Sequence, residues 1–224
     1  MFTIQFQRHQ GLFILQCGEQ HIILDTGAPV SFGEAPLRLG DEVHSIPKDY
    51  LGVNAQSVSE SIHYPIQGML GADLLAHFDF VIDTTTNDLC FYEAESLDIS
   101  NEITTRELLN CPFVVDVDVG ERRYACFVDT GASICYLPAD ATSSSDPTGS
   151  YHDFNPLFGE FDTDTFDLTL NIAGNTFAAT VGNLPSLAAQ LLKLGDIDGI
   201  VGADFFDEYK VAFSPARALM GTMP

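Results

Sequence analysis

Asp25-Thr26-Gly27-Ala28 recurs as Asp129-Thr130-Gly131-Ala132, and each copy closes a short apolar run, Ile22-Ile23-Leu24 and Cys126-Phe127-Val128. A longer apolar stretch and a polar turn precede each run, at 12–19 and 113–121. Downstream, Gly68-Met69-Leu70-Gly71-Ala72-Asp73-Leu74-Leu75 recurs as Gly199-Ile200-Val201-Gly202-Ala203-Asp204-Phe205-Phe206, and a strand-like segment follows both, at 78–82 and 209–213. A lone Asp-Thr-Gly arises by chance in roughly one chain in twenty of this length. Two copies, each followed in order by the same eight-residue pattern, indicate an internal repeat.

The remaining sequence fits a mainly β protein. Apolar runs are short, rich in Val, Ile, Phe, Thr and Tyr, and broken by Gly, Pro, Asn or Asp. The chain has 224 residues, 46% of them hydrophobic, enough for one large domain or two lobes of about 100 residues each. The organisation expected is an N-terminal lobe at 1–93, a polar connector at 94–110 and a C-terminal lobe at 111–224.

No run approaches the roughly 18 to 20 apolar residues of a membrane span. Residues 1–7 alternate like a strand, with neither a basic start nor a long apolar core, so neither a signal peptide nor a propeptide is expected. The five cysteines (17, 90, 111, 126 and 135) are odd in number and lack C-x-x-C spacing. The expectation is buried free thiols in a cytoplasmic protein, without a disulfide framework or zinc site. The formal charge is −23, and no Lys or Arg lies between Arg123 and Lys193. Such a surface repels nucleic acid and anionic membranes. Two accounts of the acidity stand: solubility, or a cleft that draws basic peptides.

An aspartate at a tight turn after a buried strand is held by a rigid element, as a reacting group must be. Glycine lets the backbone bend closely, and the threonine hydroxyl can reach the backbone of an opposing turn or serve as a plain turn residue. Two such turns facing each other would put Asp25 and Asp129 side by side. Carboxylates that close cannot both ionise, so they share a proton, one acting as base and the other as acid. That is the equipment for general acid–base hydrolysis of an amide without a metal or covalent intermediate.

On these residues the chain resembles the retropepsin branch of the aspartic proteases, joined into one polypeptide as in pepsin-like enzymes. The resemblance implies an all-β, bilobal acid-protease fold: two β-barrel lobes related by a pseudo-twofold axis, each with one short helix, at 72–78 and 203–209. It implies Asp25 and Asp129 as the catalytic pair, with Thr26, Gly27, Ala28, Thr130, Gly131 and Ala132 supporting it. It also implies an endopeptidase acting on peptide or protein substrates, open to pepstatin-like inhibitors, needing no cofactor and expected as a monomer. Many pepsin-like enzymes carry Ser or Thr where this chain has Ala28 and Ala132. Losing that donor should raise the lower pKa of the pair, so activity is expected at mildly acid to near-neutral pH.

The halves differ in length. Asp25 to Gly71 is 46 residues and Asp129 to Gly202 is 73, which leaves about 27 extra in the second half, chiefly at 138–164. The first half has a hairpin expected at 37–46 with a Gly-Asp turn, matched to one at 167–181. The insert is read as the only flap over the cleft, with Tyr151, Phe154 and Phe158 against substrate; a lobe-specific surface loop is the other reading.

Asp162-Thr163-Asp164 and Asp196-Ile197-Asp198-Gly199 lack the ligand spacing of a calcium loop, and no metal site is expected. No H-E-x-x-H or G-x-S-x-G pattern supports a zinc protease or serine hydrolase. The alternative from another class is a catalytically inactive peptide-binding or adaptor protein, motivated by the short first half.

Overall fold

The computed structural model describes residues 1–108, 111–155 and 159–223. It is mainly β, built on two large sheets, as the sequence predicts. Where a strand has one wet face, apolar and polar residues alternate: Phe2–His9 buries Ile4 and Phe6 and exposes Thr3, Gln5 and Gln7. Strands covered on both faces are continuously apolar, as in Leu12–Cys17, where Leu12 to Leu15 are all buried.

The larger sheet has ten strands, in the order Asn101–Thr104, Leu219–Met223, Lys210–Ser214, Phe78–Asp83, Asp88–Glu93, Phe2–His9, Leu12–Cys17, Gln20–Leu24, Gly68–Leu70 and Phe32–Gly33. The second has eight: Arg106–Leu108, Cys111–Val119, Arg122–Val128, Gly199–Val201, Cys135–Tyr136, Asn175–Gly182, Gly159–Ile172 and Gly149–Asn155. The final strands of the second half therefore lie in the sheet of the first. Phe78–Asp83 and Lys210–Ser214, the strands closing the two halves, pair antiparallel with Val81 opposite Ala212. Around that pair the outer partners match as well: Asp88–Glu93 and then Phe2–His9 on one side, Leu219–Met223 and then Asn101–Thr104 on the other.

The stretch expected as a connector is woven into both sheets. Asn101–Thr104 pairs with Leu219–Met223, and Arg106–Leu108 pairs with Cys111–Val119. The core fills the space between the halves with phenylalanine. Phe80 stacks on Phe213 at 4.7 Å between ring centroids, Phe113 meets Phe213 at 5.1 Å, and Phe13 meets Phe206 at 5.4 Å. Each ring buried this deeply contributes about 2 to 3 kcal/mol by removal from water.

The helices correct the expectation of one per lobe. The two foreseen form over Ala72–Leu75 and Ala203–Glu208. The first is shorter than expected because Phe78 already begins a strand. Two further helices, Ala55–Ile62 and Ser186–Leu194, occupy matching places ahead of the two G-x-x-G segments, and a single turn spans Ala139–Thr142. Asn54 starts the first of these, accepting from the Ser57 N–H at 3.0 Å while the Ser57 hydroxyl faces the Asn54 backbone. Ala55, Val58 and Ile62 give it an apolar stripe against the sheet.

The hairpin expected at 37–46 forms from Leu37–Leu39 and Glu42–His44, turning at Gly40, and inserts Leu37 and Leu39 into the core. Unlike its expected partner it stays a separate two-stranded ribbon. The partner, Gly159–Ile172 with Asn175–Gly182, is part of the eight-stranded sheet. Within the insert, Gly149–Asn155 pairs with the first half of Gly159–Ile172, from Gly149 opposite Thr165 to Asn155 opposite Gly159. The insert is thus a long hairpin projecting from the sheet.

Candidate active site

Each Asp-Thr-Gly turn is set by the same local arrangement. Gln20–Leu24 pairs in parallel with Gly68–Leu70, and Arg122–Val128 pairs in parallel with Gly199–Val201. The pairing continues into the turns: the Asp25 N–H donates to Leu70 O and the Asp129 N–H to Val201 O, both at 2.9 Å.

The G-x-x-G glycines exist because another backbone lies against each of them. A Cβ on Gly71 would sit 2.7 Å from Ala28 O, and one on Gly202 would sit 2.7 Å from Ala132 O. A Cβ on Gly68 would sit 2.6 Å from Phe32 O, and one on Gly199 would overlap Tyr136 O. Any side chain there would push the facing backbone away. Beneath each loop the second glycine's N–H is also taken up, by Ser31 Oγ at 2.9 Å in the first half and Cys135 Sγ at 3.3 Å in the second. Ser31 donates in turn to Asp73 Oδ1 at 2.6 Å.

The two turns grip each other through their threonines, both fully buried. Thr26 Oγ1 donates to Val128 O at 2.7 Å and accepts the Thr130 N–H at 3.0 Å. Thr130 Oγ1 donates to Leu24 O at 2.8 Å and accepts the Thr26 N–H at 3.0 Å. Each hydroxyl both donates and accepts across the gap, and the backbones of the two lobes are fixed at the point where the aspartates emerge.

The two carboxyls face each other closely enough that each alters the other's protonation. They face the opposing glycines so closely that a Cβ on Gly131 would lie 2.5 Å from Asp25 Oδ2, and one on Gly27 would overlap the Asp129 carboxyl. Burial pushes both above the ordinary carboxylate value of 3.8, and Asp129 further, because the charge of Asp25 adds to its desolvation. Backbone donors surround both carboxyls. Asp25 Oδ1 accepts the Gly27 and Ala28 N–H groups at 3.0 and 2.7 Å, Asp129 Oδ1 accepts Gly131 N–H at 2.7 Å, and the Ala28 and Ala132 N–H groups each also reach the carbonyl of their own turn's aspartate at 3.3 Å. Negative charge is favoured on Asp25 and the shared proton on Asp129, the more strongly shifted of the two.

Above Asp25 opens a cleft of about 600 Å³. One wall is lobe 1: Leu12, Ile23, Met69 and, from the helix Ala55–Ile62, Val58 and Ile62. The other wall is Ser133 and Ile134 after the second turn, with Tyr151, Asp153 and Phe154 of the projecting hairpin. Tyr151 and Phe154 thus reach the cleft, and Phe158 lies outside the described residues. The Tyr136 hydroxyl donates to Asp153 and anchors the hairpin to the strand beneath it. Sequence reasoning missed the helix wall, although Asn54, Ser57 and the Ala55-Val58-Ile62 spacing carried its signal. It also missed Ser31 and Cys135, which occupy the same place, three residues after Ala28 and Ala132, in different chemistry.

No family model and no curated protein matches the sequence. Among solved structures the fold is similar to an aspartic proteinase from Irpex lacteus, with 12% identity and a TM-score of 0.56, covering 99% of this chain and 97% of that one. A protease of simian foamy virus matches 41% of this chain and 89% of its own, with 17% identity and a TM-score of 0.31. A foamy viral protease–reverse transcriptase, solved with an RNA/DNA hybrid, matches 44% of this chain with 22% identity and a TM-score of 0.35, and the match spans 12% of that longer protein. Across its whole length, then, this chain has the bilobal fold of an aspartic protease.

Proposed function

We propose that this protein is an aspartic endopeptidase built from two related, retropepsin-like halves, with lobes at 1–93 and 111–224 contributing Asp25 and Asp129 to one site. The observation that carries the reading is the facing pair of carboxyls, Asp25 opening onto a cleft and Asp129 against it, both with raised affinity for a proton. Asp25, ionised, takes a proton from water as the water oxygen attacks the scissile carbonyl carbon. Asp129 gives its proton to the carbonyl oxygen, and a tetrahedral diol results. The proton gained by Asp25 then passes to the amide nitrogen, the C–N bond breaks, and Asp129 recovers a proton from the collapsing diol. Charges and protons balance, and no covalent enzyme intermediate forms. Substrate lies extended in the cleft, beneath the hairpin that carries Tyr151 and Phe154.

The test is incubation with a mixed peptide library from pH 3 to 7, with and without pepstatin, beside Asp25→Asn and Asp129→Asn. Cleavage by the wild type, lost by at least about 100-fold in either variant, is expected. Cleavage surviving either substitution excludes the shared pair. Peptide binding without cleavage at any pH makes the chain a binding protein on a protease scaffold.

A further inference from the structure

A carboxylate and a phenyl ring meet on one face of the projecting hairpin. Besides Asp25, the cleft is lined by two carboxylates, Asp153 and Glu160, both carried by that hairpin, and by no Lys or Arg among the described residues. The two are not equivalent. Asp153 is already engaged: Oδ2 accepts the Tyr136 hydroxyl, and Oδ1 accepts the Phe154 N–H at 2.8 Å. Glu160 is exposed and makes no hydrogen bond or ion pair among the described residues. His152, which also lines the cleft, is held instead by Asp162, at 2.9 Å across the hairpin.

The register puts Glu160 directly opposite Phe154, which also lines the cleft. Opposed residues of antiparallel strands carry their side chains on the same face, with Cβ atoms about 5 Å apart. A carboxylate beside a ring is a two-part receptor for one kind of side chain, a long one ending in a cation. The ring takes the flat face of a guanidinium or the alkyl stem of an ammonium, and the carboxylate takes the charge. An apolar side chain would use the ring alone, and an acidic one would be repelled. We propose that Phe154 and Glu160 form a subsite for a basic side chain of the substrate, arginine before lysine, so that the substrates are peptides presenting a cation to the hairpin. The inference rests on the protease reading and names the substrate class of that same site.

The test takes one apolar peptide from the library, places arginine in turn at every position, and compares lysine, norleucine and glutamate at the position that responds. Norleucine keeps the stem and lacks the charge. There arginine should raise kcat/KM about fivefold over norleucine, with lysine between them and glutamate below. Glu160→Gln should erase most of the arginine advantage, and Glu160→Lys should make glutamate the preferred residue. Phe154→Leu should bring arginine down to the level of lysine. Asp162→Asn removes the same charge from the same hairpin and should leave the ratio of arginine to norleucine standing. That control separates the subsite from the field of the whole acidic molecule. The subsite is overturned if no position favours arginine, if the preference survives Glu160→Gln, or if it falls equally in Asp162→Asn. Cleavage of the parent peptide would then leave the protease reading in place. If the wild type cleaves no peptide, the protease reading falls, and fluorescence anisotropy of labelled arginine and norleucine peptides decides the subsite. Tighter binding of the arginine peptide, lost in Glu160→Gln, upholds it, and equal binding overturns it.

Discussion

The aspartates stand where they do because glycine faces each of them. Gly27 lies against the Asp129 carboxyl and Gly131 against that of Asp25. Gly27→Ala should therefore displace the opposite carboxyl and lower kcat by at least about 100-fold, while circular dichroism still reports a folded protein. The raised proton affinity of the pair has its own consequence for stability. Above the ordinary value of 3.8 the unfolded chain gives up these protons while the native pair retains one, so the native state loses stability as pH climbs. Asp129→Asn removes that penalty. Its melting temperature should exceed wild type by a few degrees at pH 7, and the gap should close toward pH 4. A gap that widened toward acid would contradict the assignment of the proton to Asp129. The aspartates and all four glycines of the G-x-x-G segments were readable because each recurs in both halves. Ser31 and Cys135 were not, since a hydroxyl and a thiol filling the same place hide the correspondence from anyone comparing letters.

Hairpins and helices were less evenly legible. The hairpin at Leu37–His44 announced itself through its Gly-Asp turn and alternating pattern. The helix Ala55–Ile62 did not, because serine fills three of its eight positions and serine favours caps and turns over helix interiors. Only packing of Val58 and Ile62 on the sheet makes that segment a wall of the cleft. The projecting hairpin was visible as surplus length, but its pairing depends on a strand, Gly159–Ile172, that bends from one partner to another, which no local pattern encodes. Because Gly149 and Thr165 are direct partners, a two-residue turn can replace 150–164 without breaking the sheet. That variant should stay folded, with kcat/KM on long peptides down about tenfold or more, since an uncovered cleft no longer excludes water. Full activity in it would make the insert a surface loop.

Besides the threonine grip and the phenylalanine core, one sheet and one buried carboxylate join the halves. Asp79, fully buried, accepts the N–H groups of Glu95 and Leu97 at 3.1 and 2.8 Å and the Ser214 hydroxyl at 2.6 Å, with Arg217 at 3.7 Å. It thus fastens the linking segment and the final strands to lobe 1. Asp79→Ala should cost about 3 kcal/mol in urea unfolding, because Arg217 and three donors lose their acceptor. The charge of −23 acts over the molecule as a whole. If it steers substrate, kcat/KM for a lysine-rich peptide should fall as salt rises from 0.05 to about 0.5 M, and that for a neutral peptide should not.

The pairing of Phe78–Asp83 with Lys210–Ser214 has one more outcome. A site assembled from two separate copies falls apart when its solution is made thin enough, whereas strands zipped around Val81 and Ala212 within one polypeptide keep their partner at every concentration. Turnover per molecule should accordingly hold constant through serial dilution. Freed from matching an identical twin, one half is at liberty to carry the cover and the other the helical wall.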